Sequence, residues 1–540
     1  MRVGMEFQAL HKALLHPSAY PEKSGTIVFR ETHISRLYFT DRHVYKIKKP
    51  VDFGFLNFTT LDRRRFYCQE EVRLNRRFCP DTYLGVVEIR RAGDRVAVCG
   101  PGDIVDYAVR MKRLPEERML DRLVQTGDDS LPGEMSRLAR RIAELHRESE
   151  TCRKNGGSFN REVVQANWRE NFAQIAPFIG ETLSATAVDL CSDYVIGFLA
   201  GKNDLLLRRE RSGFVREGHG DLHSEHICLT EPICIYDCIE FNRRFRVADV
   251  SADLAFLLMD LEYRGRRDLA QILLAEYVKA SGENRELAIL LPFYKIYRAW
   301  VRGKVESFLA AETSVEKSTR KEASARAKGY FNLALGYLCR SPLLISTCGL
   351  TGVGKSAVAV ELAAKLGAVL LRSDELRREL TGREMTERGE DPFNQGSYSP
   401  EISGRTYDLL LERAAAALAL GKTVIADASF ARQDDRDRFR RMADKTGIPF
   451  LILFMECSRE TALARLDRRQ ALGADPSEGR REIYSRQAAI FQPLPESSEV
   501  IRVDTGGAID YTVHFILCEL IDRTGMNSDG LAKLCEGINS

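Results

Sequence analysis

The N-terminal part of the chain contains short segments in which β-branched and aromatic residues alternate with polar ones. GTIVFR, ISRLYFT and HVYKIKK fit strands, and YLGVVEIR, DRVAVCG and DYAVRMKRL fit three more. RRRFYCQEEVRLNRRF lies between these two groups and has the pattern of a helix. Beyond Pro115 the pattern is mainly helical, as in the amphipathic EMSRLARRIAELHRESE, apart from a strand-rich piece at 217–242. The chain is therefore predicted to begin with a small β-rich lobe followed by a larger helical lobe.

The pattern changes at Ser341-Pro342. Beyond this point strand-like and helical segments alternate, in the order LLIST, SAVAVELAAKL, AVLLRS, TYDLLLERAAAALAL, TVIADAS, FLILFMEC and RETALARLDRRQ. Such alternation is typical of a parallel sheet with helices on both faces. Residues 310–329 fit an exposed helix leading to the boundary, and the polar segment 381–404 fits a long mobile loop. We therefore predict an α+β domain over 1–340, an α/β domain over 341–525 and a loose tail over 526–540.

Composition and charge indicate to which broad class of proteins this sequence belongs. The 540 residues are 44% hydrophobic and 29% charged, as in soluble globular proteins. The net charge is +3, from 80 basic and 77 acidic residues, so there is no general electrostatic case for binding nucleic acid or a membrane surface. No apolar run is long enough to span a bilayer, and the N-terminus does not resemble a secretion signal. These features predict a cytoplasmic protein.

The 13 cysteines are scattered and lie mostly in apolar stretches, which favours reduced, buried thiols. One group of potential metal ligands is close in sequence, namely His223, His226, Cys228, Cys234 and Cys238. This group lacks the Cys-x-x-Cys spacing of structural zinc sites, and its cysteines fall on strand-like segments. The sequence therefore favours buried thiols over a zinc site formed by this group.

A phosphate-binding motif is complete in the second domain. GLTGVGKS at 349–356 fits G-x-x-x-x-G-K-[ST], with a strand before it and a helix after it. Glycines let backbone amides turn toward a phosphate, and the helix N-terminus adds partial positive charge. Lys355 is expected to reach the outer phosphates, and the Ser356 hydroxyl to hold Mg²⁺. The predicted nucleotide-binding residues are Gly349, Thr351, Gly352, Val353, Gly354, Lys355, Ser356 and Ala357.

Further charged residues are expected near this loop. Asp374 ends the strand AVLLRS, and the carboxyl ends of parallel strands form the ligand crevice of such sheets. A carboxylate there can accept a proton from an attacking hydroxyl, although Asp374 also fits a helix cap. Arg377 lies one helical turn later, and Asp427 ends the strand TVIADAS as an expected metal-organising acid. The helix ALARLDRRQ carries arginines that fit either a closing lid or a solvated face, and these are Arg465, Arg468 and Arg469.

The segments GLTGVGKS, RSDELRREL, VIADASF and ARLDRR resemble the small P-loop kinases. That group includes gluconate- and shikimate-kinase-like enzymes, the polynucleotide-kinase group and the zeta toxins. The resemblance covers about 343–522 and implies an α/β P-loop NTPase domain with AAA-type ATP binding. Asp374 and Arg377 are similar to the substrate-activating acid and arginine of zeta toxins. The resemblance implies catalytic roles for these two residues and for Arg465 and Arg468.

The first domain contains a second candidate site. HGDLHSEHICL at 219–229 places Asp221 among histidines, and Asp237 follows at the end of the strand PICIYD. An acid in a loop and an acid on the next hairpin strand suit kinase chemistry, because one orients the acceptor and the other binds Mg²⁺. Upstream, HVYKIKK presents Lys46 and Lys48 on one strand face, and the helix CQEEVRLNRR offers Glu70 and Glu71. A strand lysine paired with a helix glutamate holds nucleotide phosphates in kinases.

HGDLHSEH, IYDCIEFN and VADVSADLAFLLMDL resemble the aminoglycoside phosphotransferase family, which has a protein-kinase-like bilobal fold. The resemblance spans about 25–330. It implies that Asp221 is catalytic and that Asp237 binds the metal. Lys46 is then the phosphate-binding lysine and Glu71 its partner. The segment MKRLP implies a hinge whose backbone meets adenine, with Met111 and Arg113 as the predicted cofactor contacts.

His226 departs from that family's pattern. The family usually has asparagine at this position, five residues after the catalytic aspartate, and the asparagine binds a metal ion. Imidazole is softer and bulkier than an amide oxygen and is poorly suited to Mg²⁺. Two interpretations of His226 stay open, a metal ligand beside Asp237 and a packed histidine in a lobe that binds nucleotide weakly. His219, His223 and Asp253 are expected to be structural.

Three functions are consistent with these motifs. The leading one is an ATP- and Mg²⁺-dependent phosphotransferase with two kinase-like modules, acting on a hydroxyl-bearing small molecule. A second has the P-loop module phosphorylating a nucleic-acid end or a nucleotide sugar, which the near-neutral charge disfavours. A third is a nucleotide-gated regulator whose first module is a degenerate sensor. No membrane partner is expected, and the sequence specifies neither the acceptor nor the oligomeric state.

Overall fold

The structure is a computed structural model that describes residues 2–54, 56–152, 159–283, 285–339, 341–382, 399–472 and 481–526. Most of the predicted loop at 381–404 and nearly all of the predicted tail at 526–540 lie outside these residues. The chain divides into two compact units. The first unit combines 1–166 with 202–287, and the second combines 167–201 with 288–540. The domain boundaries drawn from the motifs at 340 and 525 stay predictions.

Helices account for most of the described chain. The α-helices are α1 (Arg2–Leu14), α2 (Leu61–Asn75), α3 (Leu120–Thr126), α4 (Leu131–Glu148), α5 (Phe159–Ile175), α6 (Ala185–Gly201), α7 (Asn203–Arg211), α8 (Arg243–Arg246), α9 (Val250–Tyr263), α10 (Arg267–Ser281), α11 (Arg285–Ala311), α12 (Lys317–Leu338), α13 (Lys355–Leu366), α14 (Ser373–Thr381), α15 (Pro400–Ala419), α16 (Gln433–Thr446), α17 (Arg459–Leu472), α18 (Arg481–Ile490) and α19 (Ile509–Thr524). Among the described residues, none of these helices has the length and apolar character required to cross a membrane.

The strands separate into an N-terminal and a C-terminal group. They are β1 (Val28–Glu31), β2 (Ser35–Phe39), β3 (His43–Lys48), β4 (Tyr83–Ala92), β5 (Arg95–Val98), β6 (Asp103–Lys112), β7 (Val215–Glu217), β8 (Ile227–Cys228), β9 (Cys234–Ile235), β10 (Val247–Asp249), β11 (Leu344–Cys348), β12 (Val369–Arg372), β13 (Val424–Asp427), β14 (Phe450–Glu456) and β15 (Val500–Asp504). The six strands predicted before Pro115 are all confirmed. PICIYD is shorter than predicted, because only its Cys234 and Ile235 pair as a strand.

The first unit is built on a six-stranded antiparallel sheet with the order β1-β2-β3-β6-β4-β5. Strand β3 alternates between its two faces, as the strand period requires. Tyr45 and Ile47 pack in the core that contains α1, whereas Val44 packs in the core that contains α2. Lys46 and Lys48 have the same parity as Val44, so β3 points both lysines toward α2. The predicted protein-kinase-like bilobal arrangement of this unit stays a prediction.

A buried ion-pair network lies in the helical part of the first unit. Arg209 on α7 has no exposed side-chain surface, and its guanidinium donates to both carboxylate oxygens of Asp249 and of Glu283 at 2.7–2.9 Å. The next residue, Arg208, pairs with Glu286 but is 59% exposed. Adjacent arginines of one helix therefore sit in opposite environments, and only Arg209 compensates buried carboxylates.

Replacing Arg209 with alanine is expected to lower the free energy of unfolding by about 3–5 kcal/mol, because two buried carboxylates lose their counter-ion. The matched variant Arg208→Ala is expected to cost less than about 1 kcal/mol, since exposed pairs are screened by solvent. Urea denaturation followed by circular dichroism measures both. Equal effects of the two substitutions would contradict the assignment of Arg209 as the buried counter-ion.

The second unit contains the predicted parallel sheet, with the strand order β12-β13-β11-β14-β15. Helices α14, α15 and α16 pack with the sheet in one apolar core, which contains Leu376, Tyr407, Leu410 and Phe439. Helix α13 contacts α12 and α19. The register pairs Arg372 with Asp427, so β12 and β13 end side by side. This alignment brings the chain after each strand to the same edge of the sheet.

Cys79 and Cys234 form a disulfide in the first unit, with their Cα atoms 5.0 Å apart. The prediction of reduced thiols is therefore wrong for this pair. Cys79 follows α2 and Cys234 lies on β9, 155 residues later, so the bond connects distant parts of the chain. Patterning could not find it, because a single sequence does not specify which cysteines pair.

Candidate functional site

The phosphate loop of the second unit runs from the end of β11 to the start of α13. The backbone conformation of the loop requires glycine at two positions. Gly349 has φ 137° and Gly352 has φ 82°, in a region that side chains rarely adopt. A Cβ at Gly349 would lie 2.3 Å from the Met455 carbonyl oxygen, and one at Gly352 would lie 2.8 Å from that of Ala462. The backbone therefore makes a tight turn that only glycine permits.

Lys355 is the first residue of α13, and its ammonium is folded over the loop. Its Nζ donates to the Leu350 carbonyl oxygen at 2.8 Å. Burial lowers the pKa of Lys355, and the nearby carboxylates of Asp427 and Asp374 act in the opposite direction. Among the described residues, the ammonium thus has a loop carbonyl as its one hydrogen-bond acceptor, while Asp427 and Asp374 stabilise its charge from a greater distance.

A cavity opens at this loop, and most of the predicted residues line it. The predicted residues in its wall are Thr351, Gly352, Gly354, Lys355, Ser356, Asp374, Arg377 and Asp427. Within the described ranges, the wall does not include Gly349, Val353, Ala357, Arg465 or Arg468. The structure therefore brings together the loop, the lysine and both predicted acids, which come from β11, β12, β13 and the helices that follow them.

Asp374 and Arg377 form a pair at the start of α14. Arg377 Nη1 donates to Asp374 Oδ1 at 2.7 Å. The Asp374 side chain is 26% exposed and the Arg377 side chain 12%. Asp374 lies in the first helical turn but is not the cap residue, because α14 is preceded by Arg372 in the cap position. The Asp374 carboxylate therefore lines the cavity and forms an ion pair with Arg377.

Asp427 is the last residue of β13 and is 4% exposed. Its Oδ1 accepts a hydrogen bond from the Thr347 hydroxyl at 3.0 Å, and its Oδ2 lies 3.6 Å from Arg372 Nε. The carboxylate oxygens of Asp427 and the hydroxyl of Ser356 are hard oxygen donors in one cavity wall. This donor set fits Mg²⁺, which prefers oxygen ligands.

The arginines of α17 separate into different environments. Arg465 is fixed to the backbone, with its Nη2 donating to the Thr505 carbonyl at 2.7 Å and its Nη1 to the Val353 carbonyl at 3.3 Å. Arg468 is exposed. Arg469, for which the resemblance implies no catalytic role, lines the cavity. Arg465 therefore contacts the phosphate loop through the Val353 carbonyl, and Arg469 lies in the cavity wall. The catalytic roles of Arg465 and Arg468 stay predictions.

Several cavity residues lie outside the sequence motifs and were not predicted. They are Ser403, Tyr407, Arg432, Asp435, Ile483 and Gln487. Gln487 on α18 is notable because its Oε1 accepts a hydrogen bond from the Thr351 amide at 2.9 Å. Amides of this loop are the groups predicted to bind phosphate. In this structure the glutamine carbonyl therefore stands at a position predicted for a phosphate oxygen.

Substituting Gln487 with alanine is expected to tighten binding of a triphosphate nucleotide by about 2- to 10-fold, the equivalent of one neutral hydrogen bond. The reason is that the glutamine competes with phosphate for the Thr351 amide. Isothermal titration calorimetry of wild type and variant measures the change. Gln492→Ala is the matched control, because Gln492 also accepts from a backbone amide, that of Gln433, outside the cavity. Weaker nucleotide binding by Gln487→Ala would show that Gln487 contacts the nucleotide instead.

The candidate site of the first unit centres on Lys46. Its Nζ lies 2.8 Å from Glu71 Oε1 on α2 and 2.5 Å from Asp237 Oδ1. Burial alone would lower the pKa of Lys46, but Asp237 and Glu71 outweigh it and raise that pKa. Burial would raise the pKa of Asp237, and the Lys46 ammonium holds it well below its usual range instead. The predicted lysine, glutamate and metal-binding acid are thus in direct contact.

A second lysine extends this network. Lys48 Nζ lies 2.6 Å from Glu71 Oε2 and also contacts Glu240, and its side chain has no exposed surface. Burial raises the pKa of Glu240, and the Lys48 ammonium opposes that effect. The contact of Glu240 with Lys48 was not predicted. Glu240 lies in the segment IYDCIEFN, but the resemblance gives a role in that segment only to Asp237. Glu71 therefore bridges the two lysines with its two oxygens.

Asp253 holds the backbone of the loop that carries Asp221. The Asp253 carboxylate accepts hydrogen bonds from the His219 amide at 2.7 Å and the Gly220 amide at 2.9 Å. His219 Nε2 donates to the Tyr236 carbonyl at 2.9 Å, and its Nδ1 accepts from the Asp221 amide at 3.3 Å. Burial lowers the pKa of His219 to about 4. His219 and Asp253 hold the loop backbone, as the sequence predicted.

His226 lies between the two acids of this site. Its Nδ1 is 3.5 Å from Asp221 Oδ2, and its Nε2 is 3.6 Å from Asp237 Oδ2. Asp237 adopts φ 64°, a left-handed conformation that is uncommon for residues other than glycine, and its amide donates to the Tyr83 hydroxyl at 3.0 Å. Residues 221, 226 and 237 therefore converge, although they come from a loop, a short helical turn and a segment after β9.

The predicted adenine contacts lie at the end of β6. Met111 is buried and pairs with Val44 on β3 and with Tyr83 on β4. The Arg113 amide donates to the Arg42 carbonyl at 2.9 Å, and its guanidinium donates to the Thr40 carbonyl at 3.1 Å. Met111 thus belongs to the core beside α2, and the Arg113 amide already has an intramolecular acceptor. Their adenine-binding roles stay predictions.

Residues 344–494 match the family model described as an AAA domain. The matched range lies in the second unit and includes the phosphate loop, Asp374, Arg377, Asp427 and Arg465. It also contains four of the five strands of the parallel sheet, β11 to β14. The predicted α/β P-loop domain is therefore confirmed for this part of the chain.

Two relatives extend beyond this range. Uncharacterized proteins of Mycobacterium tuberculosis (strain ATCC 25618 / H37Rv) and Mycobacterium bovis (strain ATCC BAA-935 / AF2122/97) are each 29% identical to this chain over 489 residues. The alignments cover 90% of this chain and 93% of each relative. The similarity therefore includes residues of both units, and the names of these relatives state no activity.

Solved structures of kinases also show similarity to part of the chain. A gluconokinase from Sinorhizobium meliloti 1021 is 18% identical, with 37% of this chain and 97% of that chain covered and a TM-score of 0.25. The APS kinase CysC of Mycobacterium tuberculosis, solved with AMPPNP and APS, is 20% identical, with 34% and 99% covered and a TM-score of 0.26. A shikimate kinase from Aquifex aeolicus is 18% identical, with 34% and 98% covered and a TM-score of 0.22.

Proposed function

We propose that this protein is an ATP-dependent phosphotransferase whose P-loop domain transfers the γ-phosphoryl group to a hydroxyl of a small molecule. The observation that supports the proposal is the convergence of Lys355, Asp374 and Asp427 on one cavity at the phosphate loop. A loop of this type binds phosphates through its amides and its lysine. An acid beside it supplies the acceptor-activating group that a simple nucleotide-binding module does not need.

In this proposal each residue of the site has a defined task. The loop amides and Lys355 bind the β- and γ-phosphates and stabilise the charge that spreads over the transferred group. Asp374 accepts the proton of the attacking hydroxyl, and Arg377 holds that carboxylate in place through the contact at 2.7 Å. Mg²⁺, when bound, neutralises phosphate charge, and Ser356 and Asp427 would hold it. No covalent enzyme intermediate is required.

The chemistry of the cavity wall favours a small polar acceptor. Beyond the loop, the wall contains the cations Arg377, Arg432 and Arg469 together with Ser403, Tyr407 and Asp435. Hydroxyl and charged groups of this kind orient a hydroxylated metabolite by hydrogen bonds. We therefore place a hydroxyl-bearing small molecule ahead of a nucleic-acid end as the acceptor.

The first unit is proposed to be a second kinase-like module, related to the aminoglycoside phosphotransferases. The contacts of Lys46 with Glu71 and Asp237 favour this assignment. A lysine–glutamate pair on a strand and a helix, with a metal-binding aspartate nearby, is the arrangement that positions phosphates in kinases. Asp221 is the proposed catalytic residue of this module.

A phosphate-transfer screen of the full chain tests the proposal. Purified protein is incubated with MgATP and pools of hydroxylated metabolites, and products heavier by one phosphoryl group are identified by mass spectrometry. The variants Lys355→Ala and Asp221→Ala, each checked for folding, assign any product to one site. A product lost only in Lys355→Ala supports the P-loop assignment, and one lost only in Asp221→Ala supports the second module. Products that survive both substitutions, or no ATP-dependent product and no ATP binding, would refute the proposal.

A further inference from the structure

Three side chains of types that can bind a metal converge in the first unit, and a fourth, Asp237, contacts one of them. Ligand atoms of Asp221, His223 and His226 all lie within 4.8 Å of one another. Asp237 joins them, because its Oδ2 is 3.6 Å from His226 Nε2. His223 Nε2 lies 3.6 Å from Asp221 Oδ2. Metal bonds of about 2.0–2.2 Å place neighbouring ligand atoms roughly 3–3.5 Å apart, so small side-chain movements would let these groups share one ion.

The hydrogen bonding of His226 identifies which of its nitrogens is available. Its Nδ1 lies 3.0 Å from the Asp221 carbonyl oxygen, which can only accept a hydrogen bond. The proton of a neutral His226 is therefore on Nδ1, and the lone pair is on Nε2. That lone pair faces Asp237 Oδ2, another acceptor, at 3.6 Å. A bound cation between these two acceptors satisfies both, and the Nδ1–carbonyl contact is the kind that orients metal-binding histidines.

His223 supplies a second, independent observation. The residue is 3% exposed, and among the described residues its Nδ1 has no hydrogen-bond partner. Buried polar atoms in proteins are almost always paired, so an unpaired imidazole nitrogen requires an explanation. His219 provides the contrast, because both of its nitrogens are paired with backbone groups. His219 is therefore fully hydrogen-bonded, whereas the nitrogen of His223 that lies near Asp221 Oδ2 is Nε2, and this is the atom that would bind an ion.

From these contacts we propose that the first unit carries a transition-metal site, suited to Zn²⁺ or Co²⁺ rather than Mg²⁺, formed by Asp221, His223, His226 and Asp237. Imidazole nitrogen is a good ligand for these ions, whereas Mg²⁺ prefers oxygen and a nearly ideal octahedron. A set of two imidazoles and two carboxylates matches the four-coordinate geometry of zinc. The proposed site uses all four side chains as ligands. In the predicted kinase arrangement only His226 and Asp237 are candidate metal ligands, and Asp221 is catalytic.

The nearby thiols do not contribute to this site. Cys234 is bonded to Cys79. The Cys228 thiol is directed to the Pro115 carbonyl at 3.7 Å and that of Cys238 to the Gly218 carbonyl at 3.7 Å. The proposed site thus shares His223 and His226 with the zinc site that the sequence disfavours, but it contains no thiol. Its ligand set is nitrogen and oxygen only.

Lys46 limits how the ion can bind. The ammonium lies at Oδ1 of Asp237, which leaves Oδ2 as the oxygen that faces His226. Asp237 therefore binds the ion through one oxygen, and the other keeps its cationic partner. This inference concerns only residues of the first unit, so it does not depend on the proposed activity of the P-loop domain. It gives Asp221 the role of a metal ligand in place of the catalytic role proposed for it in a kinase-like module.

Metal titration of the full-length chain, without a histidine tag and without nucleotide, tests the proposal. The protein is stripped with a chelator and titrated with Co²⁺, whose visible absorption reports nitrogen and oxygen ligands, and then with Zn²⁺ against a chromophoric competitor. One equivalent of tight binding that an excess of Mg²⁺ does not displace is expected. His226→Ala and Asp237→Asn are expected to weaken Zn²⁺ binding at least about 10-fold.

Two further variants make the result specific. His33→Ala removes an exposed histidine of the same unit and is expected to leave Zn²⁺ binding unchanged. His226→Asn replaces imidazole with an amide of similar shape and is expected to lower the preference for Zn²⁺ over Mg²⁺ at least about 10-fold while preserving the fold. Lys355→Ala should bind Zn²⁺ as the wild type does, which separates this test from that of the P-loop domain. Unchanged Zn²⁺ binding in folded His226→Asn and His226→Ala, or displacement by Mg²⁺ in the wild type, would overturn the proposal.

Discussion

Replacing Lys355 with alanine is expected to lower ATP-dependent phosphotransfer by about 100- to 1,000-fold, the usual cost of removing one positioned charge-stabilising group. The ammonium is folded over the phosphate loop at 2.8 Å from the Leu350 carbonyl, within the cavity that Asp374 and Asp427 also line. Removing it leaves the loop amides in place but takes away the cation that meets the phosphates. Initial rates at saturating acceptor, with the product detected by mass spectrometry, measure the loss.

Lys365→Ala is the matched control for this substitution. Lys365 lies in the last turn of the same helix, α13, and does not line the cavity within the described residues. Both variants remove one lysine from one helix, so a general loss of helix stability would affect both. Full activity of a folded Lys355→Ala protein would contradict the assignment of the loop as the site of transfer.

The variant Asp374→Asn is expected to lower the turnover rate by about 100- to 10,000-fold, with a smaller change in ATP binding, because it removes the proposed general base. Asparagine preserves the shape of the side chain and can still contact Arg377, but it cannot take the proton of the hydroxyl. Steady-state kinetics separate the effect on turnover from the effect on the KM for ATP. Calorimetry with a non-hydrolysable ATP analogue tests binding alone.

Glu375→Gln controls for the loss of a negative charge at a helix N-terminus. Glu375 follows Asp374 in the first turn of α14, but its side chain is 45% exposed and contacts Arg372 at 3.1 Å. Both substitutions weaken the favourable interaction of an acid with the helix dipole. A similar loss of turnover in the two variants would assign Asp374 a structural role in α14.

The architecture of the second unit could be read largely from its sequence. Alternating strand and helix patterns predict a parallel sheet, and the glycine spacing of 349–356 predicts a phosphate loop at its edge. The register of β12 with β13 then brings Asp374 and Asp427 to the same cavity. These features follow from local rules, because each acid lies directly at the end of a strand.

The rest of the cavity depends on tertiary contacts that no local pattern encodes. Gln487 and Thr351 are 136 residues apart in sequence, so the sequence around either residue does not predict their hydrogen bond. Whether Arg468 or Arg469 faces the cavity depends on the rotation of α17 about its axis. Adjacent residues of a helix point in different directions, so an error of one residue in the predicted helix phase selects the wrong arginine. In the first unit the paired lysines followed from strand alternation, whereas the contact of Lys48 with Glu240 required the folded chain.

The bridging position of Glu71 has a consequence for movement within the first unit. Its Oε1 faces Lys46 and its Oε2 faces Lys48, so the carboxylate has two cations rather than one. If Lys46 turns toward an incoming anion, Lys48 stays behind with Glu71, whereas Asp237 loses its cationic partner. The doubled lysine thus keeps a cation beside Glu71 while Lys46 changes partners, and the acid that the movement exposes is Asp237.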